Sequence, residues 1–236
     1  MLHTFFSRLL KVLAAILGLL LIGFVVLKLV YNSPVPSGES GPAADDLAQQ
    51  MLDAMHHEAF SEAKEIHWVF RDTNHYKWYL QKQQVLVSWE DYQVLLQTKT
   101  PEQSSAYHQQ VVLTGKAKDK AIAYAVKNFN NDSFWLVAPY KVFDPGTKRQ
   151  LVKEADQQQL LVTYTSGGST PGDSYLWQLN DQNLPIAMKM WVSIIPFDGL
   201  EAQWLNWQMT SGGFLLPEQR QIMGVNIPVS KVKVMP

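Results

Sequence analysis

The string Gly172-Asp173-Ser174 matches the opening of the lipase-type GDS motif, in which serine acts as the nucleophile. That chemistry needs a histidine to take the serine proton. The last histidine of this chain is His108 and no distal Asp-x-x-His follows, so the string reads as a turn into an extended run. Ser61-Glu62-Ala63-Lys64 fits the S-x-x-K pattern of penicillin-recognising enzymes, yet neither Lys-Thr-Gly nor Ser-Asp-Asn accompanies it. His56-His57-Glu58 suggests a metal, but neighbours on a helix point about 100° apart. The second histidine of an H-E-x-x-H motif would fall on Ser61. His67 and His75 lie on neighbouring runs with no third ligand nearby in sequence. Asp132, Asp144 and Asp173 fall in expected loops, where a carboxylate ordinarily hydrogen-bonds its own backbone. Brought within reach of one another they would instead make an acid pair or a cation site. The expectation is no catalytic residue, no metal and no cofactor. Asn131-Asp132-Ser133 is a glycosylation sequon that matters only in a eukaryote.

The elements that would position these residues are legible from periodicity. Asp45–Ala59 has Leu47, Met51, Leu52, Met55 and Ala59 near one helical face, with Asp45 and Asp46 at the positive end of the dipole. The period then changes from 3.6 to 2. Ile66, Trp68 and Phe70 alternate with His67, Val69 and Arg71, and Tyr76, Trp78 and Leu80 with Lys77, Tyr79 and Gln81. Val85, Val87 and Trp89 and then Tyr92, Val94 and Leu96 follow at the same spacing. This predicts a four-stranded antiparallel meander. Thr114 is a candidate N-cap for a second helix carrying Ile122, Ala125, Val126 and Phe129, with Asn130-Asn131-Asp132 as its stop. Ser133–Phe143 is apolar and broken by Pro139, which suits a short helix or a lid-like segment, and Asp144-Pro145-Gly146 is a turn. Candidate strands follow at Lys148–Glu154, Gln158–Ser166, Ser174–Asn180, Ile186–Ile195, Ala202–Thr210, Glu218–Met223 and Ile227–Val234. The turn signals between them are residues 167–173, Asp181-Gln182-Asn183 and Ser211-Gly212-Gly213.

Ahead of these elements, Val12 to Leu27 contains no charged or strongly polar side chain, and Lys11 and Lys28 bracket it. The bare run spans ~24 Å as a helix and Leu9–Tyr31 ~34 Å, enough for a bilayer once the lysines snorkel. A cleaved signal peptide would show small residues at −3 and −1 just after the run. Here the run ends in Leu27-Lys28-Leu29-Val30-Tyr31-Asn32, so an uncleaved anchor is expected. Arg8, Lys11 and the terminal amine precede the span, and only Lys28 closely follows it. This predicts a single-pass inner-membrane protein with a cytoplasmic tail over 1–11, a transmembrane anchor over 12–31 and an exported periplasmic domain over 45–236. Between anchor and domain, 32–44 is rich in Pro, Ser and Gly and reads as a flexible stalk.

Net charge is −1 with no block of like charge, which excludes an electrostatic footprint for nucleic acid. The chain has no cysteine, which excludes a lipoprotein modified on its first mature residue. Eight tryptophans, nine tyrosines and ten phenylalanines promise an aromatic core. In the run Ile186–Ile195, Met188, Met190, Val192 and Ile194 occupy one face while Trp191 lies on the other. Trp204 and Trp207 also fall on opposite faces. Bulk on both faces suggests a sheet covered on one side and curved on the other, around a ligand, a second sheet or the chain's own helix.

This order of elements resembles the LolA/LolB-like fold. The strings NDSFWL (131–136), FDPGT (143–147), GGSTPGDSYLW (167–177) and KMWVSIIP (189–196) resemble those of a group of bacterial envelope proteins, and that likeness brings no activity with it. The resemblance implies an α+β domain built on a curved antiparallel sheet, a half-barrel of about eleven strands with helices covering the concave side. It also implies a hydrophobic cavity for the acyl chains of lipoproteins. This chain is neither a free carrier nor cysteine-anchored, so the implied function narrows to non-enzymatic binding of an acyl chain, a lipid or a lipidated partner. The expected cavity residues are Trp68, Phe70, Trp78, Trp89, Met188 and Met190. A structural or protein-protein module with a filled core is the alternative. Oligomeric state is not readable.

Overall fold

The computed structural model describes residues 2–154, 157–166 and 170–235. Of the expected 167–173 turn, residues 167–169 lie outside these. Helix α1 (Leu2–Tyr31) is continuous, and its apolar stretch Phe6–Leu29 has mean hydropathy 2.8 with none of it buried in the rest of the protein. It is long and apolar enough to cross a bilayer.

The expected amphipathic helix forms as two. α2 (Pro42–Ala54) has proline in its first turn, and α3 (His57–Glu62) follows a break at His56, whose φ of 60° ends the first helix in the left-handed region. The meander forms as expected from β1 (Glu65–Phe70), β2 (Asn74–Tyr79), β3 (Gln84–Trp89) and β4 (Tyr92–Gln97). Two further strands, β5 (Ser105–His108) and β6 (Val111–Val112), extend it. Helix α4 (Gly115–Val137) comes next and ends in a 3-10 turn, Ala138–Lys141. The second run of strands is β7 (Thr147–Glu154), β8 (Gln157–Tyr164), β9 (Ser174–Leu179), β10 (Pro185–Trp191), β11 (Leu200–Met209), β12 (Leu215–Ile222) and β13 (Val225–Asn226). β14 (Val229–Met235) returns to pair with β1.

These strands make two seven-stranded antiparallel sheets, β14-β1-β2-β3-β4-β5-β6 and β13-β12-β11-β10-β9-β8-β7, with no closed barrel. The expected single sheet of about eleven strands is therefore corrected. The division falls at residues 227 and 228. Ile227 donates its N–H to Arg220 O of the second sheet at 2.7 Å, while Pro228 O accepts from Arg71 N–H beside the first at 2.9 Å. Proline has no N–H to continue a ladder, so the chain changes sheets there.

Register confirms the face assignments of the meander. Ile66, Trp78, Val85 and Leu96 align across β1 to β4, as do Trp68, Tyr76, Val87 and Val94, and both rows face the core. In the second sheet Leu160, Trp177, Met188 and Ala202 align inward. α2 and α4 contribute Leu47, Met51, Leu52, Ile122, Ala125, Phe129 and Leu136 to the same core. Asn206, at φ 54°, resets the alternation of β11, so Trp204 and Trp207 share a face with ring centroids 6.4 Å apart.

Two local expectations are overturned for identifiable reasons. Asn130-Asn131-Asp132 does not end α4, because Asp132 is 1 % exposed and its carboxylate is satisfied by the first sheet. Tyr76 OH donates to it at 2.5 Å, Asn74 Nδ2 at 3.1 Å and Asn131 Nδ2 at 2.8 Å. Of the two readings of Ser133–Phe143 the helical one holds: Ser133–Val137 continues α4 and Ala138–Lys141 is its 3-10 turn. Val137, Ala138, Pro139, Tyr140 and Val142 are buried rather than poised as a lid. The Pro-rich segment after α1 is hydrogen-bonded to the second sheet. Glu39 and Leu151 exchange backbone bonds at 2.9 and 2.8 Å, and Gln150 Nε2 donates to Gly38 O at 2.7 Å. It lies beside the small outer cluster Val152, Leu161, Leu176 and Trp191, and it covers part of the β7 edge.

Candidate functional site

α4 lies across both sheets, and past its C-terminal turns the second sheet is incompletely covered. The result is a cleft of about 370 Å³, within the usual range for a small-molecule site of roughly 300–1,000 Å³. Its roof is the last part of α4, with Lys127, Asn130, Asn131, Phe134 and Trp135. Its floor is the inward face of β8 to β10, with Tyr164, Tyr175 and Met190. One end is the Lys141–Pro145 turn and the other is the β10–β11 connection, which contributes Val192, Ile194 and Ile195. Phe134 and Tyr175 pack at 4.8 Å and Tyr175 and Tyr164 meet edge-on at 5.7 Å, so the floor is rigid and aromatic.

Polar groups gather at one side of this lining. Asp144 keeps contact with water, yet the concave walls around it disfavour its charge and push its pKa up, against the opposing pull of Lys141 and His57. Lys141 is half-buried, and loss of hydration lowers its pKa while Asp144 opposes the shift. Its ammonium sits 5.9 Å from the centre of the Trp78 ring. Burial pushes the phenols of Tyr164 and Tyr175 up, Asp144 and Asp173 adding to it respectively, so both remain neutral donors. Tyr164 OH donates to Lys141 O at 3.2 Å.

Asp173 is buried and structural. It accepts from Thr170 Oγ1 at 2.5 Å and from Ser193 N–H at 3.1 Å, tying the loop before β9 to the end of β10. The bond to Ser193 diverts the backbone from the ladder, which is one reason the expected strand Ile186–Ile195 ends at Trp191. Of the three candidate loop acids, Asp144 and Asp173 reach the cleft, whereas Asp132 is committed to Tyr76 and Asn74.

The remaining candidates do not converge on chemistry. Ser174 Oγ pairs with Thr163 Oγ1 at 2.8 Å, and Ser61 Oγ donates to Glu58 O at 2.7 Å. His67 lies opposite Lys77 rather than His75, and its Nε2 pairs with Glu65 at 3.0 Å. His56 Nδ1 lies 3.1 Å from Gly213 O, while the His57 ring stacks on Tyr140 at 6.1 Å. Among the described residues no group of three or more His, Asp or Glu side chains is arranged to hold a metal ion.

The six residues expected to line a cavity are core residues for the most part: all but Trp78 are buried, Met190 at 2 % exposed included. Trp68, Phe70, Trp89 and Met188 are buried in the common core, and Trp78 is half-buried against Phe129 at 5.4 Å. Met190 lines the cleft. The cleft residues that sequence reasoning missed come from six separate segments, so no periodicity connects them. The one usable signal was the apolar face Met190, Val192 and Ile194, which continues past the end of β10 into an exposed connection. No protein-family model matches the chain, and no curated protein matches it significantly.

Proposed function

We propose that this is a membrane-anchored, non-enzymatic envelope protein that holds one acyl chain, of a lipid or a lipidated partner, in the cleft beneath α4. In this reading α1 spans the inner membrane with its N-terminus in the cytoplasm, and the two-sheet body lies in the periplasm. The observation that carries the proposal is the cleft's composition. Phe134, Met190, Val192, Ile194 and Ile195 offer an alkyl chain a continuous apolar wall, while Lys127, Asn131 and Lys141 lie within reach of a polar or anionic end. Each methylene withdrawn from water gains about 0.8 kcal/mol. Among the described residues the lining offers no assembled nucleophile and base, which favours holding over reaction.

The test uses the full-length protein released from detergent micelles and observed by native mass spectrometry. One acyl lipid per chain is expected to stay bound, and Ile195→Asp, which sets a charge in the apolar wall, is expected to lose it. Equal retention by both proteins, or none by either, refutes the reading. A second reading is a structural or protein-protein module with no ligand. It is favoured by the burial of Trp68, Phe70, Trp89 and Met188 under the chain's own helices, which fill the space the resemblance would leave for a ligand.

A further inference from the structure

The β10–β11 connection, residues 192–199, is where the cleft and α1 meet. Three hydrogen bonds at Asp198, and a fourth from Trp191 at the end of β10, clasp it to the exit of α1. Ser33 N–H donates to Asp198 O at 3.0 Å, Asn32 Nδ2 to Asp198 Oδ2 at 3.2 Å, Asp198 N–H to Asn32 Oδ1 at 2.7 Å, and Trp191 Nε1 to Ser33 O at 2.6 Å. Gly199, at φ 80°, permits this approach, since a Cβ there would overlap the Ser33 hydroxyl. The connection then turns back along the helix, and Phe197 packs on Phe24 with ring centroids 5.8 Å apart.

That contact fixes a depth. Phe24 precedes Lys28 by one helical turn, so it lies about 6 Å further along α1. If Lys28 marks the level of the headgroups, Phe197 sits about 6 Å inside the acyl region, a depth typical of interfacial apolar groups at roughly 5–10 Å. Ile194 projects from the same connection and is 70 % exposed. Pro196 beside it is exposed too, and no charged side chain interrupts Val192 to Phe197. Such a patch is costly in water and favourable in a bilayer.

Resting on the proposed function and its membrane-spanning α1, we infer that the connection 192–199 is inserted in the leaflet on the body's side, so that the cleft takes its acyl chain directly from the bilayer. Ile194 and Ile195 line the cleft and belong to the inserted segment, so an alkyl chain passes from leaflet to cleft along one apolar wall. The occupant is thus a membrane lipid rather than a water-borne amphiphile.

The chain has no cysteine, so a single introduced cysteine is a unique labelling site. Full-length Ile194→Cys, Phe24→Cys and Glu102→Cys proteins, each carrying a fluorophore, are placed in phosphatidylethanolamine/phosphatidylglycerol vesicles. Lipids brominated on the acyl chain are expected to quench the labels at 194 and 24 alike, and aqueous iodide to quench only the one at 102, in the first sheet's β4–β5 connection. Iodide quenching at 194 equal to that at 102 overturns the insertion. Pro196→Ser/Phe197→Ser, which leaves the cleft lining intact, is then expected to slow pickup of pyrene-labelled phosphatidylglycerol from vesicles about tenfold. Its retention of a lipid already bound, read by native mass spectrometry, stays at the parent's level. Unchanged pickup overturns the bilayer as source. Absence of lipid from the parent overturns the proposed function instead, and the quenching still decides the insertion.

Discussion

Across the first sheet Trp68 stacks on Tyr76 at 4.5 Å, Trp78 meets Trp68 edge-on at 6.3 Å, and Phe129 of α4 lies within 6.3 Å of all three rings. Asp132, a carboxylate buried in this layer, accepts three hydrogen bonds from side chains. Across the second sheet Tyr175 and Met190 face Phe134, but beyond α4 the covering runs out and a cleft remains. The buried cation of that half, Arg220, is 1 % exposed and lies over Trp204 at 5.9 Å, with no hydrogen-bond partner for Nε or Nη2 among the described residues. Burial lowers its pKa to about 10. Both sheets turn alternating rings and aliphatic side chains inward, so the side chains alone do not decide between core and cleft. The path of α4 does: its middle covers one sheet closely and its end leaves the other partly open.

The largest test of this contrast is to break the saturated network. Asp132→Ala leaves Tyr76 OH and the Asn74 amide buried without an acceptor, at about 1–3 kcal/mol each. Denaturant unfolding of the full chain in a mild detergent should show a loss of about 2–5 kcal/mol. Asp132→Asn keeps one acceptor oxygen and should lose less. If both substitutions are neutral, the network is not what closes the first half.

Next come two methionines two residues apart on β10. Met188 is fully buried, so Met188→Ala opens a new cavity and should cost about 2–5 kcal/mol. Met190, 2 % exposed, belongs to the same core but also borders the cleft, so part of the space its truncation opens joins an existing hollow. Met190→Ala should therefore cost measurably less in the same assay. Equal losses would mean that the cleft behaves as closed core.

Much of the first half was legible, because a face buried against one helix leaves strict alternation: Ile66, Trp68 and Phe70 and their cross-strand partners are where period 2 placed them. Three features were hidden for physical reasons. Asn130-Asn131-Asp132 reads as a helix stop because short polar side chains compete for the local backbone. Here the competing acceptor is used up by Tyr76 and Asn74, far away in sequence. The segment after α1 reads as free because its composition buries little, yet backbone bonds such as Glu39 to Leu151 order it without side-chain help. Trp191 did announce a cover on the outer face, and that cover includes the Pro-rich segment itself. The cleft was unreadable because its lining is assembled from a helix end, two turns, strand faces and a connection.

Arg220 supplies the third test, of opposite sign to the first. A buried charge without full pairing is costly, so Arg220→Met, similar in length and apolar, should leave stability unchanged or raise it by about 1–4 kcal/mol. The readout is the denaturation midpoint. A marked loss would show that Arg220 has a compensating role in the second half, and the asymmetry between the halves would shrink.

The smallest effect expected is a pH dependence at the boundary between the halves. His57 stacks on Tyr140, whose hydroxyl donates to Met55 O and Leu215 O and so joins the helices to β12. Burial lowers the His57 pKa below its usual 6.5, although Asp144 and Asp53 pull the other way. The folded protein then binds this proton less readily than the unfolded chain. Stability contributed here is present above pH 6.5 and lost as pH falls toward the depressed folded value. Asp144 has the opposite sign: its pKa is raised above the usual 3.8, so acidification through that window favours the fold. Thermal midpoints of the parent and His57→Gln, compared across mildly acidic pH, separate the two. The difference between them should grow as pH drops below 6.5, with the variant losing less. A pH-independent difference would mean that the imidazole is neutral or hydrated alike in both states, and that the boundary between the halves is wetter than its packing implies.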